Sequence, residues 1–183
     1  MKNYNELYNE IVLPKMMEKF GYKNIYATPK ITKVSINIGV GQGQINPKFY
    51  DVADKTLQLI TGQKPSYTVS RKAISGFKLR EGIKVGLVVT LRGKKMSDFI
   101  YRLIHIVLPR IRDFRGLNTN SFDRNGNYSI GLKEQIVFPE IKYDEVELSH
   151  GLQINIVTSS KNADQTKELL TLIGFPFKKE TTK

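Results

Sequence analysis

Three stretches of the chain alternate apolar and polar residues with a period of two. In ITKVSINIG, Val34, Ile36 and Ile38 fall on one side and Lys33, Ser35 and Asn37 on the other. In VGLVVTLRG, Val85, Leu87, Val89 and Leu91 fall together, leaving Thr90 and Arg92 opposite. In LQINIVTSS, Leu152, Ile154 and Ile156 oppose Gln153 and Asn155. Successive side chains of a strand point to opposite faces, so each stretch predicts a half-buried strand. Between them the period becomes helical. Leu7, Ile11 and Phe20 predict an opening helix that Gly21 stops and Pro14 kinks or divides. Phe49, Val52, Ala53 and Ile60 predict a second helix, opened by Asn46 and Pro47 and closed by Gly62. Phe99, Leu103 and Val107 predict a third over about 97–108, stopped by Pro109. A last helix is expected over Ala163–Ile173, ending at Gly174 and Pro176. PSYTVS reads as a short strand and GVGQG as a turn.

Residues from 110 to about 150 contain many Gly, Asn and Arg and have little periodicity. They predict a long ordered loop region with short strands. Strands interleaved with helices, short connections and one polar sheet face predict an α+β fold. Its sheet is mostly antiparallel, with helices packed on one face and a polar face left open. No repeat or low-complexity linker interrupts the chain. Its 183 residues, 40% of them hydrophobic, suffice for a core and predict a single domain over 1–183.

Charge alters this picture. Lys and Arg number 29 against 17 Asp and Glu, a formal net charge of +12. That balance attracts polyanions, and nucleic acid and anionic membrane are the usual ones. No apolar run approaches the roughly 18 residues needed to span a bilayer. The opening segment lacks the apolar core of a signal peptide. A soluble, unprocessed chain with no membrane partner is expected. A peripheral membrane protein would want a basic amphipathic helix with an aromatic apolar face, which is not evident. Cysteine is absent, which excludes disulfides and thiolate metal sites and fits a reducing compartment.

Two features imitate ligand sites. GVGQG stands after a strand and before a helix, where a dinucleotide fingerprint would stand. The third glycine of that pattern would fall at Gln44, and no acid lies near Thr61 about twenty residues on. A tight turn accounts for it. The run from Asp123 through Asn125, Asn127 and Glu134 has calcium-loop spacing, but Tyr128 occupies the position that requires glycine. An Asn-Gly turn at Asn125 and Gly126 is the better reading. His105 and His150 have no carboxylate cluster beside them, so each reads as a packed or solvated histidine. No enzyme, cofactor or metal site is expected.

The binding signals agree better. The outward strand positions carry amides and hydroxyls beside cations, and no acid. That mixture suits phosphate oxygens, ribose hydroxyls and base edges. An ordinary solvated sheet face is the alternative. The face has no strand aromatics for stacking bases, so backbone and shape readout would dominate. The stretch SRKAISGFKLREGIK has five basic residues and one acid, and PRIRDFRG adds Arg110, Arg112 and Arg115. These arginines either face a partner or tie down the long loop through Asp113.

NIGVGQG, TGQKP, RKAISGFKLREG, VTLRG, PRIRDFRGL, SFDRNGNYSIGLKEQIVFPEI and the final FPF follow one another from the first helix to Phe177. In that order they closely resemble the bacterial-type L-five family of large-subunit ribosomal proteins, which bind 5S rRNA in the central protuberance. The resemblance implies an antiparallel sheet backed by helices whose polar side takes 5S rRNA. The family's contact asparagine, glutamine and threonine match Asn37, Gln63 and Thr90. Lys33 and Ser35 share the strand face with Asn37. The glycine turn from Gly39 through Gly41 to Gly43 would let backbone approach RNA. Lys64 and Arg92 would meet phosphates.

The loop matching 73–82 reaches the P-site tRNA in the family. Here it would use Arg71, Lys72, Ser75, Gly76, Phe77, Lys78, Arg80 and Gly82, with Gly76 and Gly82 permitting unusual dihedrals. The region 111–144 would join a bridge to a small-subunit head protein through Arg112, Asp113, Lys133, Glu134, Tyr143 and Asp144. The implied partners are 5S rRNA, large-subunit rRNA, P-site tRNA and other ribosomal proteins, in a bacterial cytoplasm rather than an organelle matrix. The alternative is a basic RNA-binding module outside the ribosome. A nucleotide-using enzyme built on GVGQG is a third reading, and saturable binding of ATP or NAD would distinguish it.

Overall fold

The computed structural model describes residues 4–41, 47–142 and 148–178. Five strands form one antiparallel sheet. They are β1 (Ile31–Gly39), β2 (Ser66–Val69), β3 (Lys84–Leu91), β4 (Tyr128–Leu132) and β5 (Leu152–Thr158). Their order is β2-β3-β1-β5-β4. The predicted alternation holds: Val34, Ile36, Ile38, Leu87, Val89, Leu91, Leu152, Ile154 and Ile156 are all buried. Val85, near the start of its strand, is half-buried. Their partners across the pleat face outward, which gives the expected α+β sheet one apolar and one polar side.

The chain gathers into two compact units. The described residues of the first are 4–34, 91–130 and 155–178. It begins with α1 (Tyr4–Leu7), a π-turn (Tyr8–Val12) and α2 (Leu13–Phe20). Pro14 does not divide this helix. Proline lacks an N–H and its ring crowds the carbonyl four residues back. The π-turn opens the preceding turn, and the Leu13 N–H reaches back five residues to the Tyr8 carbonyl. The inserted residue also shifts the phase of the helix. Tyr4, Val12 and Met16 are buried, whereas the expected stripe of Leu7, Ile11 and Phe20 is only half-buried. Gly21 stops the run as expected, at φ 66°.

The same device recurs at Pro109. The helix α4 (Gly93–Arg102) passes through a π-turn (Leu103–Val107) into α5 (Leu108–Arg110), with the Leu108 N–H bonded to the Leu103 carbonyl. The helix therefore starts four residues earlier than its apolar stripe suggests and runs through the proline. α6 (Ala163–Ile173) matches its expected span, capped by the Asn162 side chain and closed by Gly174 at φ 108°. Between β4 and the α6 start lies a tight knot. The Gly126 carbonyl accepts hydrogen bonds from the hydroxyls of Thr158 and Thr166, both at 2.7 Å.

The described residues of the second unit are 35–41, 47–90, 131–142 and 148–154. Its helix α3 (Lys48–Thr61) buries Phe49, Ala53, Leu57 and Ile60 and ends at Gly62, φ 61°. Each large apolar side chain so buried contributes about 1.5–3 kcal/mol. The expected opening residue Asn46 lies outside the described residues; Pro47 immediately precedes the helix. Gln135, buried, ties the 148–150 stretch down: its Nε2 donates to the Leu148 carbonyl at 2.8 Å and its Oε1 accepts the His150 N–H at 2.7 Å.

Candidate nucleic-acid interface

The outward side of β1 and β3 in the second unit presents Ser35, Asn37 and Thr90. Asn37 is exposed and the other two are half-buried. Among the described residues, none of these three side chains hydrogen-bonds to another protein group. A sheet face built only for solvent carries such groups too, but the outward positions of β1 and β3 carry no Asp or Glu, and the neighbouring strands sort differently. In the first unit the outward Ser129 hydroxyl donates to the Asn155 amide oxygen at 2.9 Å. Asn155 and Gln153 both have protein partners. The unspent hydrogen-bonding capacity thus lies on β1 and β3, not on β4 and β5.

Gln63 and Lys64 are exposed in the turn after α3. That turn is fixed by the Thr61 hydroxyl, which donates to the Leu57 carbonyl and accepts the Gln63 N–H at 3.2 Å. Gly39 and Gly41 line an open hollow of about 520 Å³ with Phe49, Lys133, Ser149, His150 and Gly151. Lys133, expected at an intersubunit bridge, therefore shares a wall with the glycine turn. Gly43 lies outside the described residues. Lys33 and Arg92 belong to the first unit, one half-buried and the other exposed.

The cationic loop between β2 and β3 is an ordered hairpin. Ser70 N–H donates to the Ile83 carbonyl at 2.8 Å and Gly82 N–H to the Ser70 carbonyl at 2.9 Å. Ile74 and Leu79 exchange hydrogen bonds at 2.9 and 3.1 Å. A 3₁₀ turn (Ser75–Phe77) forms the tip and leaves Phe77 73% exposed. Arg71, Lys72, Ser75, Gly76, Lys78, Arg80 and Gly82 are all exposed or nearly so. Gly82 takes a left-handed conformation at φ 81°, as expected, but Gly76 does not. Lys78 takes it instead, at φ 53°, where a residue with a Cβ is costly. Lys84 leaves the loop's charge cluster and sits over the Tyr67 ring, 4.0 Å from its centroid.

Arg110, Arg112, Asp113 and Arg115 are exposed, and among the described residues no ion pair joins the arginines to Asp113. The loop is not tied down that way. Asp113 itself adopts φ 53°. Glu134 is exposed in the second unit; Tyr143 and Asp144 lie outside the described residues.

The residues that imitated ligand sites have other work. The Asp123 carboxylate accepts N–H bonds from Asn125 and Asn127 and one from the Asn127 amide. Slight desolvation raises its pKa, but those hydrogen bonds hold it below the usual carboxylate value. Gly126 adopts φ 75°, which completes the Asn-Gly turn. His150 is buried edge-on to Phe49, and burial lowers its pKa, offset in part by the Gly151 carbonyl. His105 is exposed and packs at a tilt against the Tyr101 ring. Among the described residues no cluster of three His, Asp or Glu side chains could hold a metal ion. No helix among them is long and apolar enough to cross a membrane.

Sequence reasoning missed Thr68, which is exposed on β2 without a partner among the described residues. A four-residue strand is too short for alternation to assign its faces. The signal that could have found it is Gly86, since a glycine inside a strand marks a close approach.

The sequence matches one family of known proteins along nearly its whole length. Residues 24–80 match the family model described as ribosomal protein L5, and residues 84–177 match the model of the same family's C-terminus. The large ribosomal subunit protein uL5 of Alkaliphilus oremlandii is 51% identical over 179 residues, covering 98% of this chain and all of the relative. That of Dictyoglomus turgidum is 52% identical with the same coverage. The Synechocystis protein is 51% identical over 94% of this chain and 96% of its own. Matched along nearly its whole length, this chain belongs to the ribosomal protein L5 family and is a structural protein of the large ribosomal subunit, not an enzyme.

Proposed function

We propose that the chain binds 5S rRNA through the outward side of β1 and β3, with Ser35, Asn37 and Thr90 as its hydrogen-bonding contacts. Gln63, Lys64, Gly39 and Gly41 border that contact in the second unit. In the first unit, taken by itself, Lys33 and Arg92 meet phosphates. The observation that carries this reading is the set of outward polar side chains with no partner among the described residues, on strand positions that carry no Asp or Glu. Such groups lose nothing internal when they turn to RNA. The hairpin tip around Phe77 contacts the P-site tRNA, supported by its exposed aromatic ring, its cations and its two-rung scaffold. Arg112 and Asp113, and separately Lys133 and Glu134, meet small-subunit protein at a bridge. The chain acts in ribosomes of a bacterial cytoplasm, beside large-subunit rRNA and other ribosomal proteins.

Binding of the purified chain to 5S rRNA and to a size-matched unrelated RNA, across a salt series, tests the central part. The expected result is preference for 5S rRNA, with a log affinity that falls linearly with log salt. Equal affinity for both RNAs would overturn it. Replacing residues 77–82 by a short Gly-Ser turn should spare 5S rRNA binding and weaken tRNA retention on reconstituted ribosomes. Loss of 5S rRNA binding instead would contradict the loop's assignment.

A further inference from the structure

We propose that Thr68 is a further RNA contact, positioned by Gly86, and that its hydroxyl and the Asn37 amide together hold one ribose–phosphate group. This rests on the RNA-binding reading above. The register of the β2–β3 hairpin sets Thr68 opposite Gly86. A Cβ built on Gly86 would lie 2.7 Å from the Thr68 hydroxyl oxygen, 3.3 Å from the Ile38 carbonyl and 3.6 Å from the Asn37 amide oxygen. The first distance is shorter than any ordinary contact, so the Thr68 hydroxyl occupies space that any other residue at 86 would claim. Asn37 leans over the same position from β1, on the far side of β3.

The missing side chain therefore brings polar atoms of an edge strand and of a strand two places away over one point on the sheet. Neither side chain hydrogen-bonds to another described residue. Thr68 offers one donor and two acceptor lone pairs, and Asn37 offers two donors and an acceptor. Together they suit a group that both accepts and donates, such as a ribose hydroxyl beside its phosphate. Gly86 itself is buried beneath them, which makes it a positioning residue and leaves the contact to Thr68.

The test measures affinity of the full chain for intact 5S rRNA. Thr68→Ala and Thr68→Val should each weaken binding about fivefold to tenfold, because the hydroxyl is lost whether or not the shape is kept. Thr68→Ser should bind within about twofold of the wild type. Gly86→Ala, checked for folding by its circular-dichroism melt, should weaken binding as much as Thr68→Ala. Added to Thr68→Ala it should weaken binding no further, since the displaced hydroxyl is already gone. Wild-type affinity in Thr68→Ala and Thr68→Val, with Asn37→Ala weakened, would overturn this inference alone. Wild-type affinity in Asn37→Ala as well would overturn the RNA-face reading beneath it. Interference mapping with 2′-deoxy and phosphorothioate 5S rRNA pools separates ribose from phosphate. A position whose interference vanishes in Thr68→Ala identifies the held group, and the lack of any such position would refute direct contact.

Discussion

Asn37 and Asn127 are the same residue in opposite circumstances, and alanine at each separates binding from folding. The Asn37 side chain is exposed and unpartnered among the described residues, so its removal strands no buried group. Stability should change by no more than about 0.5 kcal/mol. If Asn37 meets RNA, the loss in binding should be about 1–3 kcal/mol, or roughly five- to 150-fold in affinity. Asn127 donates to the Asp123 carboxylate at 2.7 Å, and its amide oxygen accepts the Thr158 N–H at 3.3 Å. Alanine there leaves the part-buried Thr158 N–H unsatisfied, which costs about 1–3 kcal/mol of stability. For a chain of this size each kcal/mol lowers Tm by about 2–4 °C. Thermal melts and filter binding to 5S rRNA measure both quantities on both variants. Asn127→Ala should melt several degrees low and, where folded, bind 5S rRNA like the wild type. An Asn37→Ala variant that melts as low as Asn127→Ala, or that binds with unchanged affinity, would refute the reasoning.

Gly126→Ala should lose at least about 2 kcal/mol in chemical denaturation, because φ is 75° and the new Cβ would lie 2.8 Å from the Thr166 hydroxyl oxygen and 3.1 Å from the Asn162 carbonyl; a wild-type midpoint would contradict that packing. His150 has its pKa lowered by burial from an ordinary 6.5. The unfolded chain therefore binds the proton more readily, and stability should fall as pH drops below about 6.5, levelling once the folded-state pKa is passed. Denaturation midpoints between pH 7.5 and 5 should show this slope in the wild type and a smaller one in His150→Gln; equal slopes would assign the effect to other groups.

Strands β1, β3 and β5 were legible because their two faces meet very different surroundings, so the polar and apolar residues separate cleanly. The placement of Asn37 and Thr90 on the open face came from that alternation alone. The phase of the first helix was not legible. A π-turn inserts one residue, and nothing in the spacing of Leu7, Ile11 and Phe20 announces it except the proline just beyond. The start of α4 was hidden for a different reason: Gly93, Lys94 and Lys95 carry no apolar period, so their helical state depends on the packed turns of Met96 to Ile100. At the hairpin tip the glycines drew attention, yet it is Lys78 that bears the left-handed conformation. Strain of that kind is set by the closing Ile74–Leu79 pair, a contact that composition does not reveal.

Side-chain amide resonances test the central claim most directly. In a ¹⁵N-labelled chain titrated with 5S rRNA, the Asn37 and Gln63 amide signals should shift or broaden in step with binding, while those of Asn127 and Asn162 stay in place. Movement of Asn127 and Asn162 with Asn37 and Gln63 unmoved would mean that RNA docks on another surface.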